Sequence, residues 1–413
     1  MSDRPLKVML VFGTRPEAIK MAPVVLALRS DPAHFDVRVT VTAQHREMLD
    51  QVLDHFALEP DHDLNVMSPR QSLTRLTSAM LEGLERVLAA DRPDILLVHG
   101  DATTTLAASL SAFYARVVFG HVEAGLRTYE KYSPWPEEMN RRLTGVLADV
   151  HFAPTAWARG NLIREGVPEK AIYRTGNTAI DALLLTVRDD YRFSDPVLAH
   201  ELDGDAPGAA RRGAGPETPS GIGRRLILVE CHRRENWGEP MIRIHRALRR
   251  LAQAHPEVSL LVSAHLNPEA GEVARRELAG LDNVVLFRPV AYPDWVNLLA
   301  RCYLVLTDSG GLQEEAPSVG RPLVLTRENT ERPEAIEAGT VRLVGTAEET
   351  ILETLEELLA DRSSYRRMSE ASNPFGDGRA SQRVAQALLH HFGRRPSRPE
   401  EFGTVEPAPV GML

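Results

Sequence analysis

Cysteine is scarce: the 413 residues hold only Cys231 and Cys302, and neither stands in a CxxC pair. No disulfide framework and no thiolate zinc site can be built from them, and a reducing compartment is expected. Long apolar runs are missing as well. The run that opens at Val8 stops at Gly13, shorter than a signal-peptide core and far shorter than a membrane span. Neither export nor membrane anchoring is expected, and the protein reads as cytoplasmic. Basic charge is in deficit, with 48 Lys plus Arg against 57 Asp plus Glu and a net charge of −9. A general binder of nucleic acid or anionic membrane needs a dominant basic field, so both classes are excluded and any polyanionic ligand must be met by local groups. No histidine pair has HExxH spacing, and no metal site is expected.

What is present suits a globular protein of about two domains, with 43% hydrophobic and 25% charged residues. Short aliphatic runs at Lys7 to Phe12, Val37 to Thr42, Asp94 to His99 and Val117 to Val122 each lead into a turn and a helical pattern. That is the rhythm of a parallel sheet with crossover helices. One helix is predicted over Gln71 to Ala90, burying Leu73, Leu76, Met80, Leu84 and Val87 at three-and-four spacing. The rhythm resumes at Arg225 to Val229, Val258 to Ser263, Val284 to Phe287, Tyr303 to Thr307 and Pro322 to Thr326. Two doubly wound α/β units in tandem follow. Between them, residues 203–224 are dense in Gly, Pro and Ala and read as a mobile surface insertion. The aperiodic segment from Arg394 reads as a loose tail.

Candidate chemistry gathers at the carboxyl ends of the strands, where open α/β sheets bind ligands. After the first strand comes Gly13-Thr14-Arg15-Pro16-Glu17-Ala18-Ile19-Lys20, neither a Walker loop nor GxGxxG. Gly13 allows a tight turn and Pro16 suits the first helical position. The helix start then offers N–H groups to an anion flanked by Arg15 and Lys20, or the two cations merely decorate a βα turn. In His99-Gly100-Asp101 a carboxylate follows a strand, either as a helix N-cap or as a site acid. Gly120-His121-Val122-Glu123 delivers a second carboxylate to the same edge. Pro136 opens a helix with Glu137 and Glu138 in its first turn. These either pair with Arg141 and Arg142 four residues on, or one glutamate acts as acid or base with an arginine holding its charge.

In the second unit, Glu230-Cys231-His232-Arg233-Arg234-Glu235-Asn236 ends the first strand. Further on, Asp308-Ser309-Gly310-Gly311 precedes a helical stretch, and paired glycines leave N–H groups open to a phosphate. Glu315, about one turn in, either takes ribose hydroxyls or sits on a helix face. Arg332 adds a cation to the same side.

Taken together, GTRPEAIK, TAQHREMLDQVL, VHGDATTTL, GHVEAGLR, SPWPEEMNRRLT, GNTAIDALL, HRREN, TDSGGLQEEAPS, TERPEA, AGTVRLVG and NPFGDGRAS resemble the non-hydrolysing UDP-N-acetylglucosamine 2-epimerase family, in order from Lys7 to about Phe392. The resemblance implies an α/β fold of GT-B type, two Rossmann-like doubly wound domains with the active site in the interdomain cleft. Residues 1–177 plus 374–393 would form the first domain and carry the catalytic carboxylates. Residues 178–373 would bind UDP, and 394–413 would be the tail. It also implies reversible conversion of UDP-GlcNAc to UDP-ManNAc by elimination of UDP to a 2-acetamidoglucal and re-addition, without NAD or metal, to supply ManNAc for cell-surface polysaccharide.

Carried over residue by residue, the resemblance makes Asp101, Glu123 and Glu137 the catalytic carboxylates, with acid and base unassigned. His232 with Arg15 and Lys20 would hold the diphosphate and ease its departure. Ser309, Gly310 and Gly311 would bind phosphate through N–H groups, Glu315 would take the ribose, Arg141 and Arg332 would complete the polar shell, and Trp295 would lie on the uracil side. An activating second UDP-GlcNAc is implied at Gln44, His45, Arg70, Gln71, Arg233 and His265, and a homodimer is implied. Two departures stand out. Glu230 and Cys231 precede His232 where the family usually has Thr and a small residue, so a carboxylate either alters pKa values there or points away. Val290 stands where some relatives place a polar residue. The competing readings are a GT-B glycosyltransferase using a UDP-sugar donor and a non-catalytic nucleotide-sugar sensor.

Overall fold

The computed structural model describes residues 4–43, 46–68, 71–203, 225–264 and 268–403. It divides into two compact units, one formed by the chain up to Leu185 with the chain from Phe375 onward, the other by Thr186–Pro374. In the first unit β1 (Leu6–Phe12), β2 (Phe35–Val41), β3 (His62–Asp63), β4 (Ile95–His99), β5 (Val118–Val122), β6 (Val150–Ala153) and β7 (Ile172–Arg174) form a sheet of order β3-β2-β1-β4-β5-β6-β7. Every pairing is parallel. Helices cover both faces of such a sheet, so its central strands are apolar without alternation: all five residues of β4 are buried. The order reverses between β1 and β4, and that switch point opens a crevice at the strands' carboxyl ends.

The second unit repeats the plan with β8 (Arg225–Glu230), β9 (Val258–Ser263), β10 (Val284–Phe287), β11 (Leu304–Thr307), β12 (Leu323–Leu325) and β13 (Val341–Leu343). Their order is β10-β9-β8-β11-β12-β13, again all parallel, with its switch between β8 and β11. These are the two Rossmann-like units that the GT-B expectation requires.

The helix predicted over 71–90 spans Leu73–Ala90, because Ser72 caps it by accepting the Arg75 amide at 3.3 Å. Leu76, Met80, Leu84 and Val87 are buried as expected, but Leu73 is exposed. It lies in the first turn, beyond the edge of the buried face.

Two parts of the C-terminal reading are revised by contacts between distant segments. The carboxylate of the buried Asp181 accepts the amides of Ala380 at 3.2 Å and Ser381 at 2.7 Å. This ties the helix Thr178–Thr186 to the returning helix Ala380–His391, so the first unit extends past residue 177 to Leu185. The segment from Arg394 is held as far as Gly403, where a loose tail was expected. Phe402 N donates to Arg174 O at 2.9 Å, and the Arg398 guanidinium covers the Tyr173 ring at 4.3 Å. The remainder of that tail, and residues 204–224 of the expected insertion, lie outside the described residues.

Candidate active site

At the β1 turn the helix Arg15–Arg29 starts with its own anion already in place. The Glu17 carboxylate accepts Gly13 N at 3.1 Å, Thr14 N at 2.9 Å and Thr14 Oγ1 at 2.8 Å, a capping box. The amides of Gly13 and Thr14 are thus taken, and Lys20 reaches the Glu123 carboxylate at 2.5 Å. Glu123 follows β5, and β4 and β5 are neighbours, so Asp101 and Glu123 leave adjacent strand ends. Burial acts to raise the Glu123 pKa, but Lys20 and then His99 outweigh it and hold the carboxyl well below the usual range. His99 Nε2 stands 3.5 Å from Glu123 Oε2.

Asp101 does not cap the next helix. Ala102 stands at the N-cap of Thr103–Ala115 and gives no side-chain bond, while the Asp101 carboxylate is engaged by Arg141 through Nε at 3.2 Å and through a closer Nη2 contact. The expected pairs four residues apart, Glu137 with Arg141 and Glu138 with Arg142, do not form. Arg141 instead bridges Asp101 and the fully buried Glu138, at 3.2 Å from the latter. Glu138 also accepts the amides of Thr128 at 3.0 Å and Tyr129 at 3.1 Å, which makes it a holder of the preceding loop. Glu137, half-buried, makes no hydrogen bond or ion pair among the described residues. It is the one carboxylate of the expected trio with both oxygens uncommitted.

In the second unit the buried Asp308 organises the loop after β8. Its carboxylate accepts His232 N at 3.0 Å, Arg233 N at 3.0 Å and Asn236 Nδ2 at 2.9 Å. His232 Nδ1 lies 3.5 Å from Glu230 Oε1. Burial first, then Asp308 and Glu315, push the Glu230 carboxyl up to about 7. At the glycine pair, Ser309 N is already given to Thr307 Oγ1 at 2.9 Å. Gly310 is bordered by charges of both signs: a Cβ there would stand 2.8 Å from Arg332 Nη1, 2.8 Å from Glu331 Oε1 and 3.1 Å from Arg233 Nη2. Arg332 Nε donates to Glu314 at 2.6 Å, and Arg332 Nη1 to Glu331 at 2.7 Å. Burial of Glu331 is outweighed by Arg332 and Arg327, which bring its pKa down to about 2. Among the described residues no His, Cys, Asp or Glu cluster is arranged to hold a metal ion, and no helix is long and apolar enough to cross a membrane.

The sequence pattern of the UDP-N-acetylglucosamine 2-epimerase family matches residues 26–389. A UDP-N-acetylglucosamine 2-epimerase of Bacillus subtilis is 50% identical over 399 residues, 97% of this chain and 99% of that protein. The crystal structure of a Listeria monocytogenes protein described as a putative UDP-N-acetylglucosamine 2-epimerase superposes with a TM-score of 0.87 at 47% identity, covering 96% of this chain and 99% of that one. The UDP-GlcNAc 2-epimerase of Neisseria meningitidis, solved bound to UDP-GlcNAc, gives 0.80 at 44% identity, covering 93% and 100%. The chain belongs to the UDP-N-acetylglucosamine 2-epimerase family.

Against that family, the residues named from sequence fall into groups. Lys20 and Glu123 meet directly, as do Asp101 and Arg141, with Glu137 one helical turn from Arg141. Arg15, half-buried, opens the first helix. In the second unit His232, Arg233, Gly310 and Arg332 share one loop cluster, and Glu315 acts electrostatically on Glu230. Gly311 caps the short helix Leu312–Ser318. Trp295 lies on the helix Tyr292–Arg301, where its neighbour Asp294 accepts the amides of Ser194 and Asp195. Of the activator set, Gln71 precedes the helix Leu73–Ala90 and Arg233 adjoins His232, whereas Gln44, His45, Arg70 and His265 lie outside the described residues. Sequence reasoning gave no role to His99, Asn177 and Asp308. The signal for His99 and Asp308 was a polar residue at or next to a strand's carboxyl end.

Proposed function

We propose that the protein interconverts UDP-GlcNAc and UDP-ManNAc by inverting C2 of the sugar. A carboxylate removes the C2 proton, and the C1–O bond to the β-phosphate breaks with its electron pair leaving on UDP. A C1–C2 double bond forms, giving 2-acetamidoglucal. A proton then returns to the opposite face of C2 and the UDP oxygen re-adds at C1. The cycle is redox-neutral, so the protein needs no electron-accepting cofactor. A C2–H beside no carbonyl is a weak acid, so its loss must be coupled to departure of the nucleotide, with positive charge developing at C1.

The observation that carries this reading is the pair of carboxylates on adjacent strand ends, Asp101 and Glu123, with the uncommitted Glu137 on the following helix, in a chain of this family. In it, Glu123 and Asp101 stabilise the positive charge developing at C1, and His232, Arg15 and Arg332 hold the diphosphate beside Gly310 and Gly311. Glu315 takes the ribose and Trp295 the uracil side. A second UDP-GlcNAc bound through Gln71, Arg233 and the rest of the activator set raises turnover. The protein works in the cytoplasm as a homodimer. Exposed Phe113 and Tyr114 on Thr103–Ala115, and Leu143 and Val146 on the adjoining helix Glu137–Leu147, support that assembly.

Proton NMR of UDP-GlcNAc in deuterated water tests the reaction: deuterium at C2 and a manno product are expected, and Asp101→Asn, Glu123→Gln and Glu137→Gln should each lower turnover about a hundredfold. Absence of both exchange and product, or a need for a sugar acceptor, overturns it in favour of a sensor or a transferase.

A further inference from the structure

The segment Gly176-Asn177-Thr178 has no part in the chemistry above, yet its asparagine reaches the buried Glu123. Three groups converge on Glu123 Oε2: Lys20 Nζ at 2.5 Å, Asn177 Nδ2 at 2.9 Å and His99 Nε2 at 3.5 Å. Oε1 accepts no hydrogen bond among the described residues, and lies 3.6 Å from where a Cβ on Gly100 would stand. Glu123 itself holds a φ of 61°, a left-handed conformation that a non-glycine residue adopts only where its surroundings fix it.

The Asn177 amide cannot turn round. Its Oδ1 accepts the Ala179 amide at 3.0 Å at the start of the helix Thr178–Thr186, and its own N–H is given to Phe375 O at 2.7 Å. With the oxygen committed to the helix, the NH2 group is the part left to face Glu123. His99 is 3% exposed, and its Nε2 has no hydrogen-bond partner among the described residues; the 3.5 Å contact with Glu123 is what it faces.

We propose that Asn177, with His99 beside it, is a positioning residue of the epimerisation, pinning Oε2 of Glu123 so that Oε1 alone is presented to the sugar. This rests on the reading of Glu123 as a catalytic carboxylate. An anchored carboxylate cannot rotate to solvate itself as charge develops nearby, which is how fixed groups stabilise a transition state. The groups facing Glu123 are Lys20 from the helix Arg15–Arg29, His99 from the end of β4 and Asn177 from the turn after β7, with Glu17 in turn acting on His99. All three direct neighbours favour the ionised carboxylate, so loss of one raises the pH at which Glu123 takes up a proton.

The test uses Asn177→Ser and Asn177→Asp in the full chain. Serine and aspartate both cap helices well, so both variants keep the bond to Ala179 and fold, while neither supplies the NH2 donor and aspartate sets a second carboxylate against Oε2. Expected are a kcat lowered about tenfold for the serine and about a hundredfold for the aspartate variant, KM within about threefold of wild type, and an acid limb of kcat/KM displaced to higher pH. His99→Gln, which retains a donor, should keep more activity than His99→Leu. Thermal melting monitors the fold independently. If Asn177→Asp melts as wild type and turns over as wild type with an unmoved acid limb, Asn177 is a helix cap and the proposal falls. If Glu123→Gln is fully active, the reading of Glu123 falls first, whatever the Asn177 variants do.

Discussion

Glu230 has its carboxyl raised to about 7 from an ordinary 4.5, by burial and by the facing carboxylates of Asp308 and Glu315, with Arg233 opposing. A group raised in this way binds its proton more tightly in the folded than in the unfolded chain. Its contribution to stability is therefore complete below 4.5 and is lost as pH climbs through about 7. Glu230→Gln removes that slope. Melting temperature of the wild type should decline more steeply between pH 5 and pH 8 than that of the variant, and parallel curves would show that Glu230 titrates as an ordinary glutamate. The same residue scale separates the three carboxylates proposed to be catalytic. Arg141 clamps Asp101 and three neighbours hold Glu123, whereas Glu137 is uncommitted. Neutralising Glu137 thus disturbs no contact in the described structure.

At the scale of the element, the turn from β1 into the helix Arg15–Arg29 is built by exclusion. A Cβ on Gly13 would fall 1.8 Å from Thr42 Oγ1 and 2.7 Å from Thr104 Oγ1, two buried hydroxyls that bond each other at 3.0 Å. Glycine is needed there for the close approach, and the turn's φ is unexceptional. Gly13→Ala should cost about 2–3 kcal/mol through overpacking, read as a lower midpoint in chemical denaturation of the full chain; an unshifted midpoint would mean the two threonines move aside freely. Glu17 completes the element. Burial raises its pKa, and the bonds from Thr14 and Gly13 only partly counter this. A buried acid thus satisfies the amides of Gly13 and Thr14 from inside.

Across the whole molecule, the chain that closes the second unit returns to finish the first. Tyr173 on β7 meets His390 Nδ1 at 2.8 Å, and the Phe402 ring lies beside Gly176 and under the Arg383 guanidinium at 5.7 Å. The residues that reach back therefore support the turn from which Asn177 addresses Glu123. Phe402→Ala should cost about 1–2 kcal/mol, as a half-buried ring and one cation–π contact would. Hydrogen exchange should show the loss at β7 and the helix Thr178–Thr186, with β8 to β13 unchanged; uniform loss across both sheets would contradict a local support.

Strand runs, the doubly wound rhythm and the acids at strand ends were legible in the sequence, because period and apolar run length record burial and a residue just past a strand has one edge to occupy. The family motifs were legible for the same reason: they stand at those edges. Partnership was not. Lys20 and Glu123 lie 103 positions apart, and Asn177 is 54 positions from the carboxylate it touches. Local spacing offered Arg141 a glutamate four residues earlier, but tertiary structure gave it Asp101, 40 positions away. Likewise Gly13 to Lys20 read either as an anion seat or as a decorated βα turn, and only folding set Glu17 against the amides of Gly13 and Thr14. Local pattern determines which edge a charge reaches; only the packed chain decides which opposite charge, buried with it, completes its solvation.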